Sequence, residues 1–229
     1  MSVARFKDLV IDGGDSSVVG RFWAEALGLT FESRGADAVL RGAAPEQTVW
    51  VDSVPESKTV KNRVHLDVHA ASVDALIDLG ATVLGPDLQP SGGRWTVMAD
   101  PEGGEFCAFV RAPDRLSEYR LYEMVVDCAD PRRTAQWWGR VLGQAVGTAE
   151  EENWHWLEGV EGMPFESWVF VPVPEPKTVK NRVHWDVWVD SVDELEEAGA
   201  TILRVPDDEI EWTVCADPDG NEFCAFVAE

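Results

Sequence analysis

Two short segments of the sequence place an arginine, a histidine and an aspartate at alternate positions. The residues are Arg63, His65, Asp67 and His69 in the first segment, and Arg182, His184, Asp186 and Trp188 in the second. Side chains two residues apart lie on the same face of a β-strand. An arginine on that face would bind an acidic group of a substrate, while the imidazole transfers a proton. We therefore predict His65 and His184 as catalytic residues and the other six as ligand-binding residues.

A structural role for the same residues stays open. Buried Arg, His and Asp side chains are costly unless they form ion pairs or hydrogen bonds. In that case a hydrogen-bonded network would link Arg63 and Asp67 to neighbouring strands, and Arg182 and Asp186 would repeat it. Trp188 replaces His69 in the second segment, and we expect its ring to stack on a planar or cationic ligand.

These segments belong to an internal duplication of the chain. Residues 55–68 (PESKTVKNRVHLDV) and 174–187 (PEPKTVKNRVHWDV) are identical at 12 of 14 positions. Residues 95–110 (WTVMADPEGGEFCAFV) and 212–227 (WTVCADPDGNEFCAFV) agree at 13 of 16. The sequence predicts two domains, 1–112 and 118–229, joined by a polar linker at 111–120.

Each half contains a shorter repeat of its own. A strand-like segment leads to a helical pattern that ends at a glycine, four times along the chain, at Gly28, Gly80, Gly143 and Gly199. Glycine tolerates the left-handed conformation that follows a helix end. Asp15 and Asp130 are the predicted N-caps of the two longer helices. Short apolar runs follow, so we predict four modules of strand, helix and three strands.

Paired modules of this order, together with the blocks KNRVHLDV, KNRVHWDV, ADPEGGEFCAFV and ADPDGNEFCAFV, resemble the vicinal oxygen chelate superfamily and its glyoxalase/bleomycin-resistance proteins. The resemblance implies an α+β fold, in which tandem βαβββ modules form two incomplete eight-stranded barrels. It implies that each half encloses its own pocket, although pairing of modules across halves or across a homodimer stays open. Fold alone does not determine function.

In metal-dependent members, the ligands are a His on the first strand, a carboxylate on the fourth, a His or Gln on the fifth and a Glu on the eighth. The corresponding positions here, in chain order, are Asp8, Asp52, His65 and Cys107 in the first half and Glu123, Val171, His184 and Cys224 in the second. The first His and the last Glu are therefore missing from both halves. We expect no metal cofactor, with packed cysteines as the simpler interpretation. The alternative is a divalent ion at Asp8, Asp52 and His65, with Cys107 as a fourth ligand suited to Zn²⁺.

Composition limits the partners. The formal net charge of −23 disfavours nucleic acid and anionic membrane surfaces. No apolar run is long enough to span a bilayer, and the first residues have no signal-peptide pattern. The four scattered cysteines favour reduced thiols and a cytoplasmic location. We expect most of the additional tryptophans of the second half, Trp137, Trp154, Trp156 and Trp168, to be core or interface residues, and His155 to lie on the surface.

The sequence favours a protein of the bleomycin-resistance type that binds a small organic or drug-like molecule without a catalytic metal. The alternative is a metal-dependent lyase, isomerase or dioxygenase. A regulatory ligand sensor is a third possibility that no residue favours specifically. The chain has no G-x-S-x-G, P-loop, G-x-G-x-x-G or H-E-x-x-H motif.

Overall fold

The computed structural model describes residues 2–86 and 95–228 and contains the four expected modules. Module 1 consists of β1 (Ala4–Gly13), α1 (Ser16–Leu27), β2 (Thr30–Arg34), β3 (Asp37–Arg41) and β4 (Thr48–Ser53). Module 2 consists of β5 (Val64–Ala70), α2 (Val73–Asp78), β6 (Thr82–Pro86), β7 (Thr96–Ala99) and β8 (Glu105–Val110). Module 3 consists of β9 (Leu121–Cys128), α3 (Pro131–Leu142), β10 (Val146–Ala149), β11 (Trp154–Glu158) and β12 (Ser167–Pro172). Module 4 consists of β13 (Val183–Val189), α4 (Val192–Ala198), β14 (Thr201–Arg204), β15 (Thr213–Ala216) and β16 (Glu222–Val227).

The helix ends follow the predicted signals. The Asp15 carboxylate accepts hydrogen bonds from the backbone N–H groups of Ser17 and Val18, and Asp130 accepts one from Arg133. Gly28 and Gly143 adopt φ values of 72° and 70° just past α1 and α3. These caps fix the lengths of the two long helices.

The modules pair across the two halves. Sheet A joins modules 1 and 4 in the strand order β14-β15-β16-β13-β1-β4-β3-β2. Sheet B joins modules 2 and 3 in the order β10-β11-β12-β9-β5-β8-β7-β6. Each sheet is an incomplete eight-stranded barrel, as expected, but the expectation that each half encloses its own pocket is wrong. Because the blocks at 55–68 and 174–187 are nearly identical, either strand is a suitable partner for β1, and the sequence pattern does not choose between them.

Both sheets share one hydrophobic core. Trp138, on α3, contacts Trp168 of sheet B and Trp185 of sheet A, with ring centroids 4.8 and 5.4 Å apart. All three rings are fully buried, and Trp168 is a core residue as expected. The Trp138 Nε1–H donates to Asp217, and Trp23 donates to Asp100, so that both long helices are anchored on the D-P-x-G turns.

Within the described ranges, no helix has the length and apolar composition that crossing a bilayer requires.

Candidate functional site

The predicted strand parity is confirmed on β5 and β13. Val64, Leu66 and Val68 are buried in the shared core, so the alternate residues of β5 face the concave side of sheet B. The same alternation on β13 puts Val183, Trp185 and Val187 in the core. Each concave side therefore has one copy of the Arg–His–Asp strand at its centre.

A polar cluster on sheet B joins three strands: it consists of His65, Asp67, Cys107 and Glu123, and we call it the sheet-B cluster. His65 Nδ1 donates to Asp67 Oδ1 at 2.9 Å. Asp67 lies in register with Cys107 on β8 and with Glu123 on β9. One potential ligand atom from each of His65, Asp67 and Cys107 lies within 4.8 Å of the others.

The sheet-B cluster holds more negative than positive charge. Burial, together with the Asp67 carboxylate, raises the pKa of Glu123 to about 7, although hydrogen bonds from Tyr122 and Ser167 lower it. Burial lowers the pKa of His65, but the attraction and hydrogen bond of Asp67 outweigh it, so the pKa is raised overall. The cluster is therefore suited to gaining a proton or another cation.

An aromatic surface lies beside the sheet-B cluster. The half-buried rings of His69, Trp95, Phe109 and Tyr122 form it, and we call it the sheet-B aromatic surface. His69 stacks on Tyr122 at 4.5 Å, and Phe109 meets the Tyr122 and Trp95 rings at 5.1 and 5.6 Å. The Arg111 guanidinium lies 5.4 Å from the Phe109 ring and 5.5 Å from the Tyr122 ring.

Sheet A contains an equivalent cluster of Asp8, His184, Asp186 and Cys224, the sheet-A cluster. Asp186 lies in register with Asp8 on β1 and with Cys224 on β16. One potential ligand atom from each of His184, Asp186 and Cys224 again lies within 4.8 Å of the others. His184 and Asp186 do not bond to each other as their counterparts do: the buried His184 Nδ1 and Asp186 Oδ1 have no hydrogen-bond partner among the described residues.

Lys7 accounts for much of this difference. It is the extra residue of a β-bulge between Phe6 and Asp8. Its ammonium pairs with Asp8, and lies 3.5 Å from Asp186 Oδ2. Burial raises the pKa of Asp186 to about 7 although Lys7 lowers it, and burial lowers the pKa of His184 to about 3, with Lys180 adding to the effect.

The Lys7 ammonium also lies over aromatic rings. It is 4.2 Å from the centroid of Phe226 and 5.3 Å from that of Trp188. Trp212 stacks on Phe226 at 5.4 Å, in the position that Trp95 has on sheet B. Trp188, at 36% exposed, is thus beside the concave side, as its parity predicted.

Comparison with known proteins supports the fold and its duplication. A model of the glyoxalase-like domain matches residues 8–109 and again residues 123–226. The chain belongs to the glyoxalase-like domain family.

Solved structures with low sequence identity share this fold. Glyoxalase I from Zea mays is 16% identical with a TM-score of 0.67, over 97% of this chain and 92% of that one. A putative dioxygenase from Bacillus subtilis is 12% identical with a TM-score of 0.63, over 99% and 86%. No curated protein sequence matches this chain.

The predicted ligand set of this glyoxalase-like chain divides between the two sheets. Asp8 and Asp52 lie on sheet A, whereas His65 and Cys107 lie on sheet B. A single ion at Asp8, Asp52 and His65 is therefore excluded, because modules of opposite halves pair. On sheet A, Asp8 belongs to the cluster that contains His184 and Cys224. On sheet B, Glu123 belongs to the cluster that contains His65 and Cys107.

Asp52 is not part of the close sheet-A cluster. It lies in register with Asp12, four residues along β1 from Asp8. Burial, together with the Asp12 and Asp37 carboxylates, raises the pKa of Asp52 to about 6. Its counterpart on sheet B is Val171, in register with Asp127.

The two arginines bind backbone rather than the aspartates of their own strands. Arg63 donates to the carbonyl oxygen of Glu175, and Arg182 donates to that of Glu56 at 2.7 Å. Each therefore holds the P-E-x-K loop of the opposite half, and both line a cleft of about 830 Å³ between the two loops. The sequence predicted a network that links Arg63 and Arg182 to neighbouring strands, whereas the structure shows both bonded to loops of the opposite half.

The expectation of a surface His155 is wrong. Its ring is 1% exposed on β11, where Nδ1 lies 3.1 Å from Thr148 Oγ1 and Nε2 lies 3.1 Å from Asn153 Oδ1. The alternation in W-H-W-L-E could have indicated that His155 and Leu157 share the buried face.

The sequence interpretation missed the residues that distinguish the sites: Lys7, Trp95, Phe109, Arg111, Tyr122, Trp212 and Phe226. The repeated sequence blocks contain the aromatic residues of β8 and β16, and strand parity could have placed them on the concave sides. Lys7 and Tyr122 could not be found in this way, because the bulges that expose them appear only when the strands are paired.

Proposed function

We propose that the concave side of sheet B binds a small, planar organic anion. The observation that supports this most directly is the position and the unpaired charge of the Arg111 guanidinium. It lies over the Phe109 and Tyr122 rings, yet has no ion pair or side-chain hydrogen bond within residues 2–86 and 95–228. The chain has a net charge of −23, yet this cation has no anionic partner among the described residues. It is therefore suited to bind a carboxylate, sulfonate or phenolate group of a ligand.

The remaining parts of the surface suit the same ligand. A planar molecule would stack on the half-buried rings of the sheet-B aromatic surface. His69 Nε2 is buried without a hydrogen-bond partner in the described part of the chain, so it offers one directional contact. His65 and Glu123 lie on the same concave side and would exchange a proton with a bound acid or phenol.

The test uses the dye anilinonaphthalene sulfonate as a planar anionic probe. We expect one dye per chain, and we expect Arg111→Gln to weaken binding about tenfold by removing the charged contact. Arg204→Gln is the matched control, because it removes the same charge from an exposed position on sheet A. The uncharged analogue phenyl-naphthylamine should bind wild type and Arg111→Gln equally. Equal dye affinity of Arg111→Gln and Arg204→Gln would refute the proposal.

A metal-dependent enzyme is the second candidate, favoured by the donor set of the sheet-B cluster. His65, Asp67 and Cys107 offer nitrogen, oxygen and sulfur donors within 4.8 Å, and Glu123 lies beside Asp67. Zn²⁺ accepts such a mixed set, and a bound divalent ion would polarise a substrate oxygen as a Lewis acid. His65 and Asp67 would hold the ion, and Glu123 would be placed to accept a proton.

Metal analysis of protein purified without chelator distinguishes the two candidates. About one ion per chain that is lost in His65→Ala would favour the enzyme. Less than a tenth of an ion per chain, together with dye binding, would favour the metal-free binding protein. A cytoplasmic location remains a prediction from the number and scatter of the cysteines.

A further inference from the structure

The sheet-A cluster has the donor arrangement of a cation site. Its His184, Asp186 and Cys224 ligand atoms lie within 4.8 Å of one another. His184 is 7% exposed and Asp186 is 4% exposed, and each has a buried polar atom without a hydrogen-bond partner among the described residues. Because such atoms are costly to bury, the cluster is chemically incomplete without a further group.

An ammonium group already neutralises the carboxylates of this cluster. Lys7 pairs with Asp8 and lies 3.5 Å from Asp186 Oδ2. The rings of Phe226 and Trp188 lie 4.2 and 5.3 Å from the same nitrogen and stabilise its charge. The Lys7 side chain is 14% exposed, so the ammonium is held largely inside the protein.

A divalent ion and the Lys7 ammonium would compete for the same carboxylate. An ion bound to Asp186 would lie about 2 Å from its oxygen, and therefore within a few ångströms of the Lys7 nitrogen. Like charges at that separation repel strongly in a partly buried site. Movement of Lys7 away from the ion would also break its pair with Asp8 and its ring contacts.

Sheet B has a neutral group at the equivalent position. Tyr122 is the extra residue of the bulge in β9, just before Glu123, as Lys7 is just before Asp8. Its phenol donates a hydrogen bond to Glu123 and brings no positive charge.

We propose that Lys7 is a built-in cation that takes the place of a divalent metal ion on sheet A. Replacing this one side chain would convert the sheet-A cluster into a metal site with His184, Asp186 and Cys224 as ligands. The inference concerns sheet A alone, so it does not depend on whether sheet B binds a metal or an organic anion.

The test is titration with Co²⁺, whose absorption reports thiolate ligation. We expect Lys7→Met and Lys7→Tyr each to bind one more Co²⁺ per chain than wild type, with affinity at that site raised on the order of 100-fold or more. The Cys224 thiol loses its proton to solvent when the ion binds, so a thiolate-to-cobalt band should appear. Adding Cys224→Ser should abolish that band, whereas adding Cys107→Ser should leave it.

The wild-type count separates this inference from the function of sheet B. If wild type binds no Co²⁺ and both Lys7 variants bind one, the Lys7 inference stands and the metal candidate on sheet B fails. No additional ion in either variant, or a wild-type band that needs Cys224, would overturn the inference. If the variants unfold without metal, Co²⁺ should restore their circular dichroism, and failure to do so would also overturn it.

Discussion

The sheet-A and sheet-B sites contain the same His–Asp–Cys strand pattern but satisfy it in different ways. On sheet B, His65 donates to Asp67, and the raised pKa of Glu123 favours its protonated form. On sheet A, Lys7 supplies a cation to Asp8 and Asp186, and His184 Nδ1 is left without a partner within the described chain. The comparison teaches that one residue in a β-bulge changes the ion pairs of a duplicated site.

The largest expected difference between the sites is in stability. Lys7→Met should lower the free energy of unfolding by about 3 kcal/mol, because it leaves two buried carboxylates without their cation. Tyr122→Phe should cost about 1 kcal/mol, the value of one hydrogen bond to Glu123. Urea unfolding in the presence of a chelator measures both. Equal costs for the two variants would contradict the assigned role of Lys7.

The next difference concerns pH. Folding raises the pKa of Glu123 from 4.5 to about 7, so the folded state retains a proton that the unfolded state loses. Stability linked to this group is therefore present below pH 4.5 and is lost as the pH rises to about 7. Glu123→Gln should remove part of that dependence, on the order of 2 kcal/mol between the two pH values.

Asp186→Asn provides the sheet-A comparison, because Asp186 also has a pKa of about 7 in the folded state, against an ordinary value of 3.8. Its substitution should flatten the stability profile between those values, while also weakening the Lys7 pair. Urea unfolding at several pH values tests both variants. A profile that Glu123→Gln leaves unchanged would show that Glu123 is ionised normally in the folded protein.

The smallest expected effect is at Asp52, the charged counterpart of Val171. Burial and the Asp12 and Asp37 carboxylates raise its pKa to about 6, so at neutral pH the ionised group is unfavourable in the folded state. Asp52→Asn should therefore raise the unfolding free energy by about 1 kcal/mol at pH 7 and less at pH 5. Thermal unfolding at the two pH values measures it. A destabilised variant would indicate that the Asp52 charge has an attractive partner.

The sequence predicted the local structure well because its signals are local. The N-caps at Asp15 and Asp130, and the alternation from Val64 to Val68, depend on residues close together in the chain. The four modules and the concave faces follow from them. Which modules pair was not predictable, because β5 and β13 present nearly the same residues to a partner strand. The ligand set Asp8, Asp52 and His65 was wrong for that reason.

The structural difference between the sites depends on contacts that no local pattern encodes. Lys7 and Tyr122 occupy equivalent repeat positions, so the sequence shows the substitution, but not that both project from bulges. The bond of Arg63 to Glu175 likewise depends on the loop of the opposite half, which is distant in the chain.

The central claim is that sheet B, and not sheet A, is open to an organic anion. Trp95 and Trp212 are equivalent reporters, each beside one site and in contact with Phe109 or Phe226. The measurement is a titration with anilinonaphthalene sulfonate, followed by the indole N–H signals of the two residues in ¹⁵N NMR spectra, assigned through Trp95→Phe and Trp212→Phe. We predict that the Trp95 signal shifts with saturation at one dye per chain while the Trp212 signal stays in place. A shift of Trp212 alone, or equal shifts of both signals, would contradict the account.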